Sequence, residues 1–377
     1  MSLIRPWQRL NGADHSWHRV MHLPWLMILL VMLIGVIGIL ALYSAAEGSW
    51  SPWAFRHSIR LGLGFGLMVI VALIPLDYMR QLAWPGWLGA VAILLLLEFI
   101  GSGQGVQRWI SVGSFNLQPS EPAKLAVIIT LAAYFNAIYV KQLDMLRVYI
   151  PAFAIVMVPF GLILAQPDLG TSLMLLGSAA AVIFVAGIPL WLIAVLGCIV
   201  VAAIPAIWIS LYQYQRDRIL VFLNPENDTL GAGWQITQSK IALGSGGMFG
   251  KGYLKGSQSH LNYLPEKQTD FVFTMIGEEF GLIGCLVVIA LYMAVVMLII
   301  IQAFRHQGRF ARLLLVGIAM MLFLYVFINI GMVSGILPVV GAPLPLISYG
   351  GTAMMTVFIS FGLVISAALH EPMDDGS

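Results

Sequence analysis

A carboxylate at the mouth of an apolar segment is the first feature of this sequence able to do chemistry. The stretch LPEKQTDF, residues 264–271, sets Glu266, Lys267 and Asp270 directly before the run FVFTMIGEEFGLIGCL. Read from the residues alone, Thr269 or Asp270 is placed to cap the following helix. Thr274 and Gly277 share the helical face of Asp270 and leave room for a substrate or a neighbouring helix. Glu278 and Glu279 lie deeper and require salt bridges or hydrogen bonds inside the bundle.

Further charge sits in three short stretches. In QPSEPAKLAV, Ser120 is a candidate N-cap and Glu121 suits a first helical turn. Lys124 lies on the same face, either paired with Glu121 or binding an anion in a cavity. Asp168, in QPDLGTS, is placed as an N-cap. Arg108, in GVQRWISVG, stands beside an interfacial Trp109, and Arg216 and Arg218, in YQYQRDRI, are either interface anchors or a clamp for an anionic headgroup.

These side chains belong to a chain of 377 residues that is 60% hydrophobic and 10% charged, with a mean hydropathy of +0.92. Soluble domains carry about a quarter charged residues, so the fold class is an all-α polytopic membrane protein. Apolar runs of helix-spanning length fall near 24–44, 57–75, 84–100, 121–140, 149–165, 169–187, 189–211, 271–303, 311–335 and 344–369, about ten spans. The net charge of +2 is scattered, which excludes nucleic acid as a partner. Cys198 and Cys285 lie inside apolar runs and offer neither a disulfide framework nor metal-ligand spacing.

The first span is too long for a signal-peptide core, although Ser44, Ala45 and Ala46 offer small residues for cleavage. Residues 1–23 read as an interfacial lead-in: Arg5, Arg9 and Arg19 alternate with Trp7 and Trp17, and Trp25 follows. His15, His18 and His22 there are read as solvated or headgroup-facing rather than as metal ligands. With this end cytoplasmic, nine short-loop Lys and Arg residues fall inside and four outside, and the even span count returns the tail, 370–377, to the cytoplasm.

The organisation is then spans one to seven over 24–211, an extracytoplasmic loop over 212–270 and spans eight to ten over 271–369. The loop holds an amphipathic helix around Trp234, Ile236, Ile241 and Leu243, then the glycine-rich GSGGMFGKG, residues 244–252. A nucleotide-binding loop fails there, because Ser245 replaces the first required glycine and Gly252 the hydroxyl residue. Between the last two spans, prolines and glycines around Leu337–Pro338 and Pro343–Gly351 imply a re-entrant turn. Ser348 and Tyr349 in it either shape the cavity or touch a substrate.

Five stretches, QPSEPAK, AQPDLGTS, GAGWQITQSKIALGSGGMFGKG, LPEKQTDF and NIGMVSGILPVVGAPLPLISYGG, resemble the SEDS family of rod-shape, division and sporulation proteins (RodA, FtsW and SpoVE) over nearly the whole chain. The stretch GILPVVG, residues 335–341, leans to the rod-shape branch, and Trp234 replaces a more usual tyrosine. The resemblance implies a peptidoglycan glycosyltransferase in the bacterial cytoplasmic membrane. It would polymerise lipid II, the undecaprenyl-diphosphate disaccharide-pentapeptide, on the outer face for cell elongation.

By the same resemblance Asp270 is the essential aspartate, and Glu121, Lys124 and Asp168 line the outward cavity with Arg108, Arg216 and Arg218. The expected reaction is inverting: Asp270 takes the proton of the acceptor hydroxyl, and Lys124 with arginines, aided by a divalent cation such as Mg or Mn, supports the leaving diphosphate. The implied partners are a class B penicillin-binding transpeptidase and other elongation-complex membrane proteins. A lipid II flippase and a non-catalytic scaffold are the competing readings.

Overall fold

The structure, a computed structural model, describes residues 24–100, 109–112, 115–210, 213–224, 228, 231–256 and 267–370. The expectations for the tryptophans, arginines and histidines before residue 24, for Arg108 and for Glu266 lie outside these residues.

A helix occupies each of the ten apolar runs. In chain order they are α1 (Trp25–Ala45), α2 (Ala54–Ala72), then, after a short α3 (Leu76–Gln81), α4 (Ala83–Ile100), α5 (Ser120–Ala137), α6 (Tyr149–Ala165), α7 (Leu169–Ala186) and α8 (Leu190–Ser210). The long loop holds α9 (Gln213–Leu223) and α10 (Ala232–Ser245), and α11 (Val272–Arg305), α12 (Arg309–Val333) and α13 (Gly351–Leu369) complete the chain. A small hairpin pairs β1 (Ile110–Val112) with β2 (Phe115–Leu117) ahead of α5. Among the described residues seven helical segments are long and apolar enough to cross a membrane, while α4 and α8 carry shorter apolar stretches, and the charges of α5 are turned inward.

Burial divides the helices by role. Helix α1 buries Met27, Val31, Ile34 and Leu42 but exposes Leu26, Leu29, Val36 and Leu40, as a helix between protein and lipid should. Helices α5, α7 and α12 form the centre, where a β-carbon on Gly317 of α12 would stand 2.4 Å from Ile128 and 2.8 Å from Val182. Only a residue without a side chain leaves room for both branched side chains there. Helix α13 packs along α2, and α11 runs between α1 and α12 with α10 laid across it.

Three elements differ from the sequence reading. The last helix starts at Gly351 rather than near 344, because residues before it form the re-entrant segment. Helix α10 buries Ile236, Ser239 and Ala242 but leaves Trp234 and Ile241 outward. Polar Ser239 belongs on the buried face because its hydroxyl meets Val333 O at 2.7 Å and Thr274 Oγ1 at 2.8 Å.

The third difference is a break in α11. Gly281 adopts φ 67° and ψ −163°, which severs the helical ladder inside the bundle. In an unbroken helix Glu278 O and Glu279 O would accept from Leu282 N and Ile283 N. Here the glycine-rich loop supplies all four partners. Lys251 N and Gly252 N donate to the two carbonyls at 3.0 Å, while Leu282 N and Ile283 N donate to Gly247 O and Met248 O at 2.9 and 3.2 Å. So close an approach excludes side chains: a β-carbon on Gly250 would stand 2.1 Å from Glu279 O, and one on Gly246 2.0 Å from Gly277 O. Buried backbone groups must be paired, and this loop closes the account without a ligand.

Candidate active site

Asp270 sits at the end of a turn whose backbone is fastened residue by residue. Gln268 O accepts from Tyr349 N at 2.8 Å, Thr269 O from the Ser348 hydroxyl, and Asp270 O from Asn329 Nδ2 at 2.9 Å. The residue heading α11 is Phe271, with no side-chain cap, so the cap position itself falls to neither Thr269 nor Asp270. The Asp270 side chain stays half-buried, and a β-carbon on Gly341 would stand 3.3 Å from its Oδ2. Gly341 has φ 74°, a conformation glycine adopts without a Cβ penalty.

The fastening strand is the re-entrant segment, residues 334–350. It follows α12 with Gly335 at φ 74° and passes through Leu346 at φ 66° before α13. Four buried side chains hold it. Asn329 Nδ2 donates to Ala342 O at 2.7 Å, Tyr292 OH donates to Pro345 O, His57 Nε2–H donates to Leu346 O at 3.0 Å, and the Ser348 hydroxyl accepts from Leu344 N at 2.8 Å. Ser348 therefore shapes the turn, and its hydroxyl faces inward.

The starts of α5 and α7 reach the same place. Asp168 caps α7 by accepting from Thr171 N at 3.2 Å, and its other oxygen accepts from Gln118 Nε2 at 2.8 Å. Gln118 N in turn donates to Thr352 Oγ1 at 3.3 Å, and a β-carbon on Gly170 would stand 3.0 Å from Val340 O. Pro119 precedes α5, so Ser120 is its first residue rather than its cap.

One turn into α5, the Lys124 ammonium lies 2.9 Å from Glu121 Oε1 and 2.6 Å from Tyr325 OH, and that hydroxyl donates to Glu121 Oε2. Lys124 and Glu121 are 0% and 2% exposed. Lys124 thus makes the local ion pair that its spacing from Glu121 allows, with its ammonium fully enclosed.

The remaining cations divide. Arg218 is half-buried and donates to Val339 O at 2.9 Å, which ties α9 to the re-entrant segment. Arg216 instead turns back to Ile209 O at the end of α8. Arg60 stacks on the Tyr349 ring, 4.4 Å from its centroid, and the extended Lys240 lies against Gly335. Glu278 pairs with Lys251 at 2.7 Å and Glu279 accepts from the Ser44 hydroxyl. Thr274 and Gly277 give room to α10, not to a cavity: Thr274 meets Ser239, and a β-carbon on Gly277 would stand 2.4 Å from Leu243.

Thus Asp270, Ser348 and Arg218 gather on residues 334–350, Asp168 is two residues from Gly170, which abuts Val340, and the Glu121–Lys124 pair is joined to α12 through Tyr325. Sequence reasoning passed over Tyr325, Asn329, His57 and Tyr292. A signal existed for the first two: polar residues four apart in an otherwise apolar span lie on one face and need partners. Among the described residues no three His, Cys, Asp or Glu side chains gather to hold a metal ion.

The family of FtsW, RodA and SpoVE cell cycle proteins matches residues 21–372. The peptidoglycan glycosyltransferase MrdB of Escherichia coli K12 is 43% identical over 319 residues, 83% of this chain and 85% of that one. Among solved structures, a peptidoglycan synthase complex described as coordinating polymerization and crosslinking aligns with TM-score 0.79 and 29% identity, over 92% of this chain and 97% of that one. The rod shape determining protein RodA of Thermus thermophilus aligns with TM-score 0.70 and 27% identity, over 93% and 98%.

Proposed function

This chain belongs to the FtsW, RodA and SpoVE family of cell cycle proteins, and from that premise and the site geometry we infer that it is a peptidoglycan glycosyltransferase. It polymerises lipid II into glycan strands for rod-shaped growth. The observation that carries the site assignment is the fastening of Asp270: its side chain is half-buried, and the backbone from Gln268 to Asp270 is locked at three successive carbonyls by the re-entrant segment and Asn329.

Asp270 is the general base. It takes the proton of the acceptor sugar's 4-hydroxyl as that oxygen bonds to the donor's anomeric carbon. The carbon–oxygen bond to the diphosphate breaks on the opposite face, and undecaprenyl diphosphate leaves with the electron pair. A positioned base contributes about 10²–10⁴-fold. Arg218 and Arg60, half-buried and tied to the segment that walls Asp270, are the cations placed to meet the diphosphate. The Glu121–Lys124–Tyr325 triad acts from behind, fixing α5 to α12.

The protein is multi-pass in the membrane, with both termini cytoplasmic and Asp270 facing outward, where lipid-linked substrate is delivered. A class B penicillin-binding transpeptidase cross-links the product, within a larger elongation complex. The test is polymerisation of lipid II by purified protein in detergent, alone and with its cognate transpeptidase, for wild type and Asp270→Asn. Strands from wild type alone support the reading, whereas strands from Asp270→Asn at the wild-type rate remove Asp270 as base.

A further inference from the structure

Asn329 is enclosed in the last turn of α12, 0% exposed, in a span that otherwise buries apolar residues. Its amide nitrogen donates to both Asp270 O and Ala342 O, at 2.9 and 2.7 Å. Its own carbonyl oxygen is buried and has no hydrogen-bond partner among the described residues. A buried unpaired acceptor is costly, so packing alone gives no reason for an amide here. The cost has a geometric return. One side chain spans the residue carrying the proposed base and the neighbour of Gly341, where a β-carbon would stand 3.3 Å from the base's Oδ2.

We propose that Asn329 is a positioning residue for Asp270: its amide clamps the backbone of Asp270 to that of the re-entrant segment, and thereby aims the carboxylate through the gap left by Gly341. The inference rests on the reading of Asp270 as general base. The two bonds set where the Asp270 α-carbon stands relative to Gly341, and the missing side chain at 341 sets where the carboxylate goes. Neither residue touches substrate. Their loss should therefore slow the chemical step without weakening lipid II binding, because displacing a reacting group by about 1 Å costs on the order of 100-fold.

The experiment is lipid II polymerisation by the full chain with its cognate transpeptidase, measuring kcat and KM with thermal unfolding in the same detergent. Asn329→Ala is expected to lower kcat about 10- to 100-fold with KM within about threefold. Asn329→Ser, which keeps one hydroxyl donor, should fall between it and wild type. Gly341→Ala should reproduce the loss from the other side by placing a methyl 3.3 Å from Asp270 Oδ2. The double variant Asp270→Asn/Asn329→Ala should be no slower than Asp270→Asn alone, since a residue acting through Asp270 has nothing further to lose.

Wild-type kcat in Asn329→Ala overturns the proposal, as does a KM that rises in step with the loss. If Asn329→Ala does not fold, the kcat of Asn329→Ser and Gly341→Ala decides, and wild-type values in both overturn it. An inactive Asp270→Asn beside fully active Asn329 and Gly341 variants defeats this inference alone. An active Asp270→Asn defeats the reading beneath it.

Discussion

Non-helical backbone enters the helix bundle twice, and the two intrusions are held in opposite ways. Residues 246–252 close the break in α11 with main-chain groups, amide to carbonyl, on both sides of Gly281. Residues 334–350 are held largely by side chains, those of Asn329, Tyr292, His57 and Ser348. Main-chain closure depends on absent side chains and leaves no room. Side-chain closure holds a segment at chosen points and does not require glycine at each of them. The first intrusion is a seal and the second a scaffold for chemistry.

Substitutions should separate these roles. The largest expected effect is that of Asp270→Asn, a fall in polymerisation of about 10²-fold or more with unfolding temperature unchanged. Gly250→Ala should do the reverse. A methyl 2.1 Å from Glu279 O, on a backbone at φ 80°, forces the loop out of the break, and the expected loss is about 3 kcal/mol of stability with turnover per folded molecule preserved. A Gly250→Ala protein that is stable but slow would show that the seal and the scaffold are one device.

Lys251→Met strands the carboxylate of Glu278, which is 0% exposed, and should cost about 3 kcal/mol in thermal or denaturant unfolding. Adding Glu278→Gln should recover most of it, because the cost comes from an uncompensated buried charge rather than from loss of the pair itself.

The smallest effect is a pH dependence at the edge of the catalytic turn. Burial pushes the Lys267 ammonium below its ordinary value near 10.5, with Glu47 opposing at 4.0 Å. Between the lowered folded value and 10.5 the unfolded chain binds more protons, so stability should rise with pH across that window. Lys267→Met should flatten the rise, and an unchanged slope in alkaline unfolding curves would count against the burial.

What could be read beforehand follows the range of the interactions. The Asp168 cap and the Glu121–Lys124 pair each span three residues, and local spacing announced both. The ten apolar runs announced the helices, since bilayer thickness sets their length. The seal was hidden because its halves lie about thirty residues apart and its signal is glycine, which is read locally as a turn. Asn329 was hidden because an isolated amide in an apolar span states that it needs a partner without saying which. Asp270's catalytic reading came from resemblance, because an aspartate before a helix looks like a cap and only the fold shows that the cap position falls to Phe271.

The break at Gly281 also has an electrical consequence. It leaves residues 272–280 as a short dipole of their own, with a positive pole at Val272 and a negative one at Phe280. Asp270 stands just beyond the positive pole. Near the negative pole, where Glu278 adds a further minus charge, Lys251 brings the compensating cation. A continuous helix would have carried its negative end far across the membrane to Arg305. Divided here, the segment faces an opposite charge at each end, and the anion proposed as base rests on a field that the same short helix completes.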